Sequence, residues 1–392
     1  MRVFVFHLMP WPHLPPDYDD SAWIWCPNEF YDPQEGRRLY TEYLDQLEYA
    51  EVLGFDGVCV NEHHQNAYGT MPSPNLMAAA LARRTTRVKL AVIGNALPLY
   101  NPPIRVAEEF AMLDVLSDGR LIAGFVVGGG PEYYSYNINP TQARERFMEA
   151  HDLIIRAWTE PGPFPFDGKY TRLRYVNPWP RPIQKPHPPI WIPGAGSYET
   201  MDWVAAKRYA YMGIPYFHFD VFKQNMAYFR EACRKQGYEA DPEQIGYPVG
   251  VYLAESEAQA RAELEPHLRY FIDKLMRGLV IGPPGYTSVR SAVKIRDALN
   301  RFMATVRRWE DLVGGQYLFV GRPETVREQL LEAVGTLGCG NLLCLFQLGS
   351  LPDTLARRNM SVFASEILPA LRREFGGVGT AALAEGSAER AR

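Results

Sequence analysis

Several things are scarce in this chain. It has five cysteines in 392 residues (Cys26, Cys59, Cys233, Cys339 and Cys344), unpatterned and without a C-x-x-C pair. That excludes a disulfide-dense secreted scaffold and a cysteine-rich zinc module, and reads as reduced thiols in the cytoplasm. Cys26 and Cys59 have no base beside them in sequence and read as buried structural thiols. No apolar run approaches the ~20 residues of a membrane-spanning helix. The opening "MRVFVFHLMP" starts directly as a strand, without the n-region, h-region and cleavage site of an export signal. A net charge of −4 comes from 41 basic and 45 acidic residues spread along the chain. No basic block stands out, so a nucleic-acid partner is not expected. No internal repeat is present.

Hydrophobic residues make up 47% of the chain, enough for one large α/β domain or two smaller ones. Short apolar runs alternate with helical patterns. Strands are expected over Val3–Leu8, Gly57–Val60, Val88–Ile93, Leu121–Val127, at "PPIWIP", and over Tyr211–Tyr216, Ile245–Leu253 and Leu342–Leu348. Leu39, Tyr43, Leu47, Ala50 and Leu53 recur every three or four residues, as on one face of a helix that Gly54 closes. About eight strands, most followed by a helix, favour a closed (β/α)8 TIM barrel over an open doubly wound sheet. The barrel would occupy residues 1–375. Residues 10–32 form an irregular aromatic insertion. Residues 258–315 read as a helical insertion before the last strand, a lid or dimer element broken at "IGPPGYTS". The Gly/Ala/Glu-rich tail 376–392 reads as disordered.

In such a barrel, chemistry sits on the loops after the strands. The second strand runs straight into Glu62, His63 and His64 in "VCVNEHHQNAYG". Three readings apply: histidines bonded to loop carbonyls, a metal site joined by His7 and His218, or acid–base and anion-stabilising work. His7 lacks the second histidine that barrel hydrolases carry on strand one, so no metal is assigned. Imidazole suits proton transfer near neutral pH, and Glu62 could orient one ring. The turn "GAGSYET" opens a helix, where backbone N–H groups with Ser197 and Thr200 suit a phosphate; Ser197 could equally be a plain helix cap. Glu199 stands where a dinucleotide fingerprint needs its third glycine, so no tightly held nicotinamide dinucleotide is expected. Trp11, Trp23, Trp25 and Tyr31 would line an apolar cavity at the mouth, or pack a surface loop.

Three segments together, "LGFDGVCVNEHHQ", "LPLYNPPIRVAEEFAMLDVLSDGRLIAGFVVGGG" and "PPIWIPGAGSYETMDWVA", resemble the bacterial luciferase-like flavin monooxygenases in content, order and spacing. The resemblance runs from Val3 to about Arg373 and is weakest over 10–32 and 258–315. It implies a (β/α)8 barrel using reduced FMN and molecular oxygen through a peroxyflavin, with a separate NAD(P)H-flavin reductase. It implies that His63 supports catalysis with His64 beside it. Asn95, Ala96 and Leu97 would lie against the isoalloxazine ring, and Gly194, Gly196, Ser197 and Thr200 would hold the phosphate. Many relatives carry an arginine after strand four, where this chain has Val127 followed by Gly128. Backbone N–H groups there, or Arg105 or Arg120 reaching in, would have to replace it. A dry apolar pocket would protect the reactive flavin, and the substrate would be a mostly apolar organic molecule. Family members often form homodimers. Rival readings are a deazaflavin-dependent hydride-transfer enzyme on the same barrel, a non-catalytic flavin-binding protein and a metal hydrolase.

Overall fold

The computed structural model of the protein describes residues 1–278, 285 and 287–376. The tail from 377 onward and most of the "IGPPGYTS" break therefore lie outside the described residues.

Eleven strands are present among these residues: β1 (Arg2–His7), β2 (Gly57–Val60), β3 (Lys89–Ala96), β4 (Leu121–Val126), β5 (Phe164–Asp167), β6 (Arg172–Val176), β7 (Ile190–Pro193), β8 (Ala210–Met212), β9 (Ile245–Leu253), β10 (Leu318–Gly321) and β11 (Asn341–Leu345). β1, β2, β3, β4, β7, β8, β9 and β11 pair in that order, and β11 returns to β1, closing a parallel barrel of eight. The fold expected from the sequence is therefore present. The first half of β9 pairs with β11 and its last four residues with β10, so β10 lies on the rim beside the ring.

Local chemistry explains the elements. Helix Pro33–Val52 starts at Asp32, whose carboxylate accepts from the Gln34 N–H at 2.7 Å, with proline at the first position. Its buried face includes Leu39, Tyr43, Gln46, Leu47 and Ala50, spaced three or four apart along one stripe except for the adjacent pair Gln46 and Leu47. It ends at Gly54, whose φ of +86° suits glycine. β3 and β4 approach closely because glycines face each other: a Cβ on Gly94 would stand 2.4 Å from the Gly124 backbone. β3 bulges between Val92 and Asn95.

Four differences from the sequence-based expectation have plain causes. The sixth strand stops at Met212 and the last at Leu345, because the apolar residues beyond them pack as loop. The passage around residue 170 folds into the antiparallel β5–β6 hairpin, which is mostly exposed and so has no apolar run to reveal it. β10 is only four residues long. Helices Glu257–Tyr270 and Val289–Thr305 form most of the stretch expected to be helical.

The aromatic segment after β1 and the first of these helices are laced together. Tyr270 Oη accepts from the Leu14 N–H and donates to the Trp11 carbonyl, both at 2.9 Å. Trp23 Nε1 donates to the Leu275 carbonyl at 2.9 Å. Lys274 donates to the Pro16 and Tyr18 carbonyls. These bonds fix a roof beside the C-terminal mouth.

Candidate active site

All eight ring strands are parallel, so the segments after β2, β3, β4 and β7 lie at one end of the barrel. The loop after β2 sends its three polar side chains to two places. Glu62 turns under the end of β3. It accepts from Asn95 Nδ2 at 2.9 Å, from the Ala96 N–H at 3.3 Å and from Tyr100 Oη at 2.7 Å. It also meets His64 Nε2 at 2.9 Å. Asn95 is fixed in turn: its Oδ1 accepts from Asn75 Nδ2 at 3.1 Å. The other ring nitrogen of His64 meets Tyr136 Oη at 2.9 Å. Glu62 is thus a buried junction between the ends of β2 and β3. Burial and the neighbouring Glu62 charge push the Tyr100 hydroxyl well above its ordinary range, so it stays protonated and donating.

His63 points elsewhere. Its Nδ1 lies 3.0 Å from Oε1 of Glu132, in the helix Gly130–Ser135 that follows β4. Burial alone would raise the Glu132 carboxyl; the hydrogen bond and charge of His63 outweigh it and hold the group below the usual range. Trp23 and Tyr68 meet the imidazole edge-on, with centroids at 5.0 and 4.9 Å. Among the described residues nothing takes the His63 Nε2, and the ring borders a cleft of about 540 Å³. Trp11, Leu14, Phe30, Tyr31 and Tyr40 wall that cleft, with Asn66 among the polar residues at its edge.

The other two histidines weighed as metal ligands have structural partners. His7 Nδ1 accepts from the Met9 N–H at 2.9 Å and Nε2 meets Gln46 Oε1 at 3.1 Å. Burial lowers its pKa to about 4, which keeps it neutral. His218 caps helix Phe219–Lys235, accepting from the Asp220 N–H. Among the described residues no group of three or more histidines, cysteines, aspartates or glutamates could hold a metal ion.

The aromatic quartet separates. Trp11 and Tyr31 line the cleft, and so does Trp25, which is 74% exposed with a φ of +66°. Trp23 is buried behind His63 rather than in the cleft wall. Cys59 is buried as expected. Cys26 is half-buried and borders the cleft, and burial raises its thiol pKa, leaving it protonated.

The turn after β7 is stabilised from several sides. Tyr211 Oη accepts from the Gly196 N–H at 2.9 Å and donates to the Gly194 carbonyl at 2.7 Å. Gly196 has a φ of +92°, and a Cβ there would strike the Asn225 amide. Ser197 stands at the cap of helix Tyr198–Lys207 without making a side-chain cap bond. Its hydroxyl donates instead to Thr200 Oγ1 at 2.7 Å. The guanidinium of Arg144 reaches the same oxygen at 3.3 and 3.4 Å. Among the described residues Arg144 makes no ion pair. Arg105 and Arg120 do not take this place. Arg105 pairs with Glu109 at 2.7 Å, and Arg120 is used up on the carbonyls of Ala82, Thr85, Val88 and Ser117. Gly128 turns the chain after β4 with a φ of +97°, with Ala96 and Tyr133 close by.

Sequence reasoning passed over Glu132, Arg144, Tyr100 and Tyr136. The signal for Arg144 was faint, one arginine in an amphipathic helix rich in charge. Glu132 was readable only as an acid in a helix's first turn.

A parallel eight-stranded barrel with polar and aromatic side chains gathered at its C-terminal mouth is the architecture of the TIM-barrel enzymes. A model of the luciferase-like monooxygenases matches residues 23–338, and the chain belongs to that family. An uncharacterized protein of Sinorhizobium fredii, y4wF, is 35% identical over 44% of this chain. The oxygenase component of the flavin-dependent trigonelline monooxygenase of Acinetobacter baylyi is 28% identical over 61% of this chain. These matches span 51% and 67% of those proteins' own lengths. The solved structure of monooxygenase RslO1 from Streptomyces bottropensis superposes with a TM-score of 0.73 at 26% identity, covering 94% of this chain and 99% of that one. No helix among the described residues is long and apolar enough to cross a membrane.

Proposed function

We propose that the chain is the oxygenase of a two-component flavin monooxygenase, taking reduced FMN from a separate NAD(P)H-flavin reductase and using molecular oxygen on a mostly apolar organic substrate. The observation that carries this reading is the His63–Glu132 pair, with the His63 ring bordering an aromatic-walled cleft and its Nε2 without a partner among the described residues. The oxygenase-component relative supports the two-component form.

The donor set after β7 fits an FMN phosphate. Ser197, Thr200 and Arg144 stand at the start of a helix, where hydroxyls, a guanidinium and backbone N–H groups favour an anion. Bound there, reduced flavin would supply the electrons that activate oxygen. The rest falls to this chain's side chains. Asn95, Ala96 and Leu97 present the end of β3 to the ring system, and Glu62 holds that end still. Glu62 and His64 are therefore positioning residues. Glu132 accepts a hydrogen bond from His63 Nδ1–H, which fixes the tautomer and leaves Nε2 to hold or deliver a proton at the reacting oxygen. Trp11 and Tyr31 wall the substrate off from water, and the bonds from the 257–275 segment to the aromatic loop keep that roof closed.

Binding titrations with FMN and with a 5-deazaflavin cofactor, each in its reduced form, test this reading. Tighter FMN binding, with oxygen uptake that depends on the protein, supports it. Exclusive deazaflavin binding with no oxygen uptake overturns it in favour of hydride transfer.

A further inference from the structure

The helix Val289–Thr305 of the insertion is docked on the turn after β7 by polar side chains. Ser291, fully buried, accepts from the Tyr198 N–H at 3.1 Å and donates to Glu199 at 2.8 Å. One turn further on, Lys294 donates to the Gly196 carbonyl at 2.9 Å, one residue before Ser197. Arg290 and Lys294 both lie over the Tyr198 ring, at 4.1 and 4.4 Å from its centroid. Among the described residues, Arg144, Arg290 and Lys294 have no carboxylate within ion-pair distance. Three cations therefore approach one turn from two sides, and the nearby carboxylate, Glu199, is turned onto Ser291. Beneath the turn, Asn225 is buried with its Oδ1 unpartnered, so the polar groups here are not all satisfied from within the chain.

We infer that Lys294 is the second cationic ligand of the cofactor's terminal phosphate, so that the barrel and the insertion bind this group jointly. The inference rests on the flavin reading above. A phosphate monoester carries close to two negative charges at neutral pH, and Arg144 supplies one counter-charge from the barrel side. A lysine is a point charge on a flexible stem. Lys294 can exchange the Gly196 carbonyl for a phosphate oxygen without moving its helix. Burial and the charge of Arg290 lower its pKa to about 8, a cost that a bound dianion would offset. The neutral Val127 after β4 leaves this compensation to other elements. The consequence is coupling: a bound phosphate adds a tie between the barrel and the docked insertion helix, so cofactor occupancy and the docking of this helix reinforce each other.

The experiment uses the full-length chain and compares oxidised FMN with riboflavin, which lacks only the phosphate. Affinities are read by flavin fluorescence for wild type, Lys294→Gln and Lys294→Arg. The expected result is that Lys294→Gln weakens FMN about tenfold, leaves riboflavin within about twofold, and is largely rescued by Lys294→Arg. Riboflavin affinity serves as the folding control. If Lys294→Gln keeps the full FMN preference, or weakens both flavins equally, Lys294 is not a phosphate ligand and the inference falls while the flavin reading stands. If wild type itself shows no preference for FMN, the turn is not a phosphate site and both fall together.

Discussion

His63 and Glu132 lie 69 positions apart in the chain, one on the loop after β2 and the other in the short helix after β4, yet their Nδ1 and Oε1 atoms stand 3.0 Å apart. Each is the only charged-type partner of the other at this distance among the described residues. The pair orients one imidazole, and the ring's Nε2 has no partner among the described residues. Replacing the ring removes any proton-handling group there, so His63→Ala is expected to lower product yield per flavin oxidised about 100-fold. Glu132→Gln keeps the shape but removes the counter-charge. It is expected to cost about tenfold. Product analysis across pH 5 to 9 checks both. Unchanged yield in His63→Ala would remove this residue from the mechanism.

Arg144 is predicted to read the phosphate from the barrel side. A charge-assisted hydrogen bond is worth about 1.5–3 kcal/mol, so Arg144→Ala should weaken FMN by roughly 10- to 100-fold and leave riboflavin unchanged. Calorimetric titration of both flavins measures this. Equal losses for the two would show that Arg144 supports the fold of the turn.

Much of this site was legible in the sequence, for identifiable reasons. The Glu-His-His run and the Gly-rich turn are local, and their positions after apolar strands are enough to bring them to one mouth. Glu132 and Arg144 are not local: each needs a contact between loops or helices distant in the chain. Trp23 and Trp25 show another limit. They are two residues apart in an irregular segment, one buried behind His63 and the other exposed, and only the chain's path decides which. The β5–β6 hairpin escaped because its strands are four and five residues long and mostly exposed, with one buried side chain each, Phe166 and Val176, too few to make an apolar run. Lys294 sits on an insertion helix whose docking partner could not be guessed from its own pattern.

His7 provides a test of stability. Burial lowers its pKa from 6.5 to about 4. The unfolded chain therefore binds a proton that the folded chain refuses across that window. Its contribution to stability is fully present above pH 6.5 and is lost as pH falls toward 4, by roughly 3 kcal/mol in all. His151, also buried with a lowered pKa, adds a loss of the same sign. Denaturant unfolding at pH 7 and pH 4.5 is expected to show a smaller drop for His7→Asn than for wild type, although the variant starts lower. Equal drops would mean that His7 is protonated in the folded state.

The most direct measurement is anaerobic mixing of the protein with photochemically reduced FMN, followed by stopped-flow addition of oxygen, with the return of oxidised-flavin absorbance recorded. A site that binds reduced flavin and shields it from water predicts return at least about tenfold slower than for free flavin, with the delay shortened in His63→Ala. Return as fast as in buffer, at protein concentrations well above that of the flavin, would contradict the monooxygenase reading.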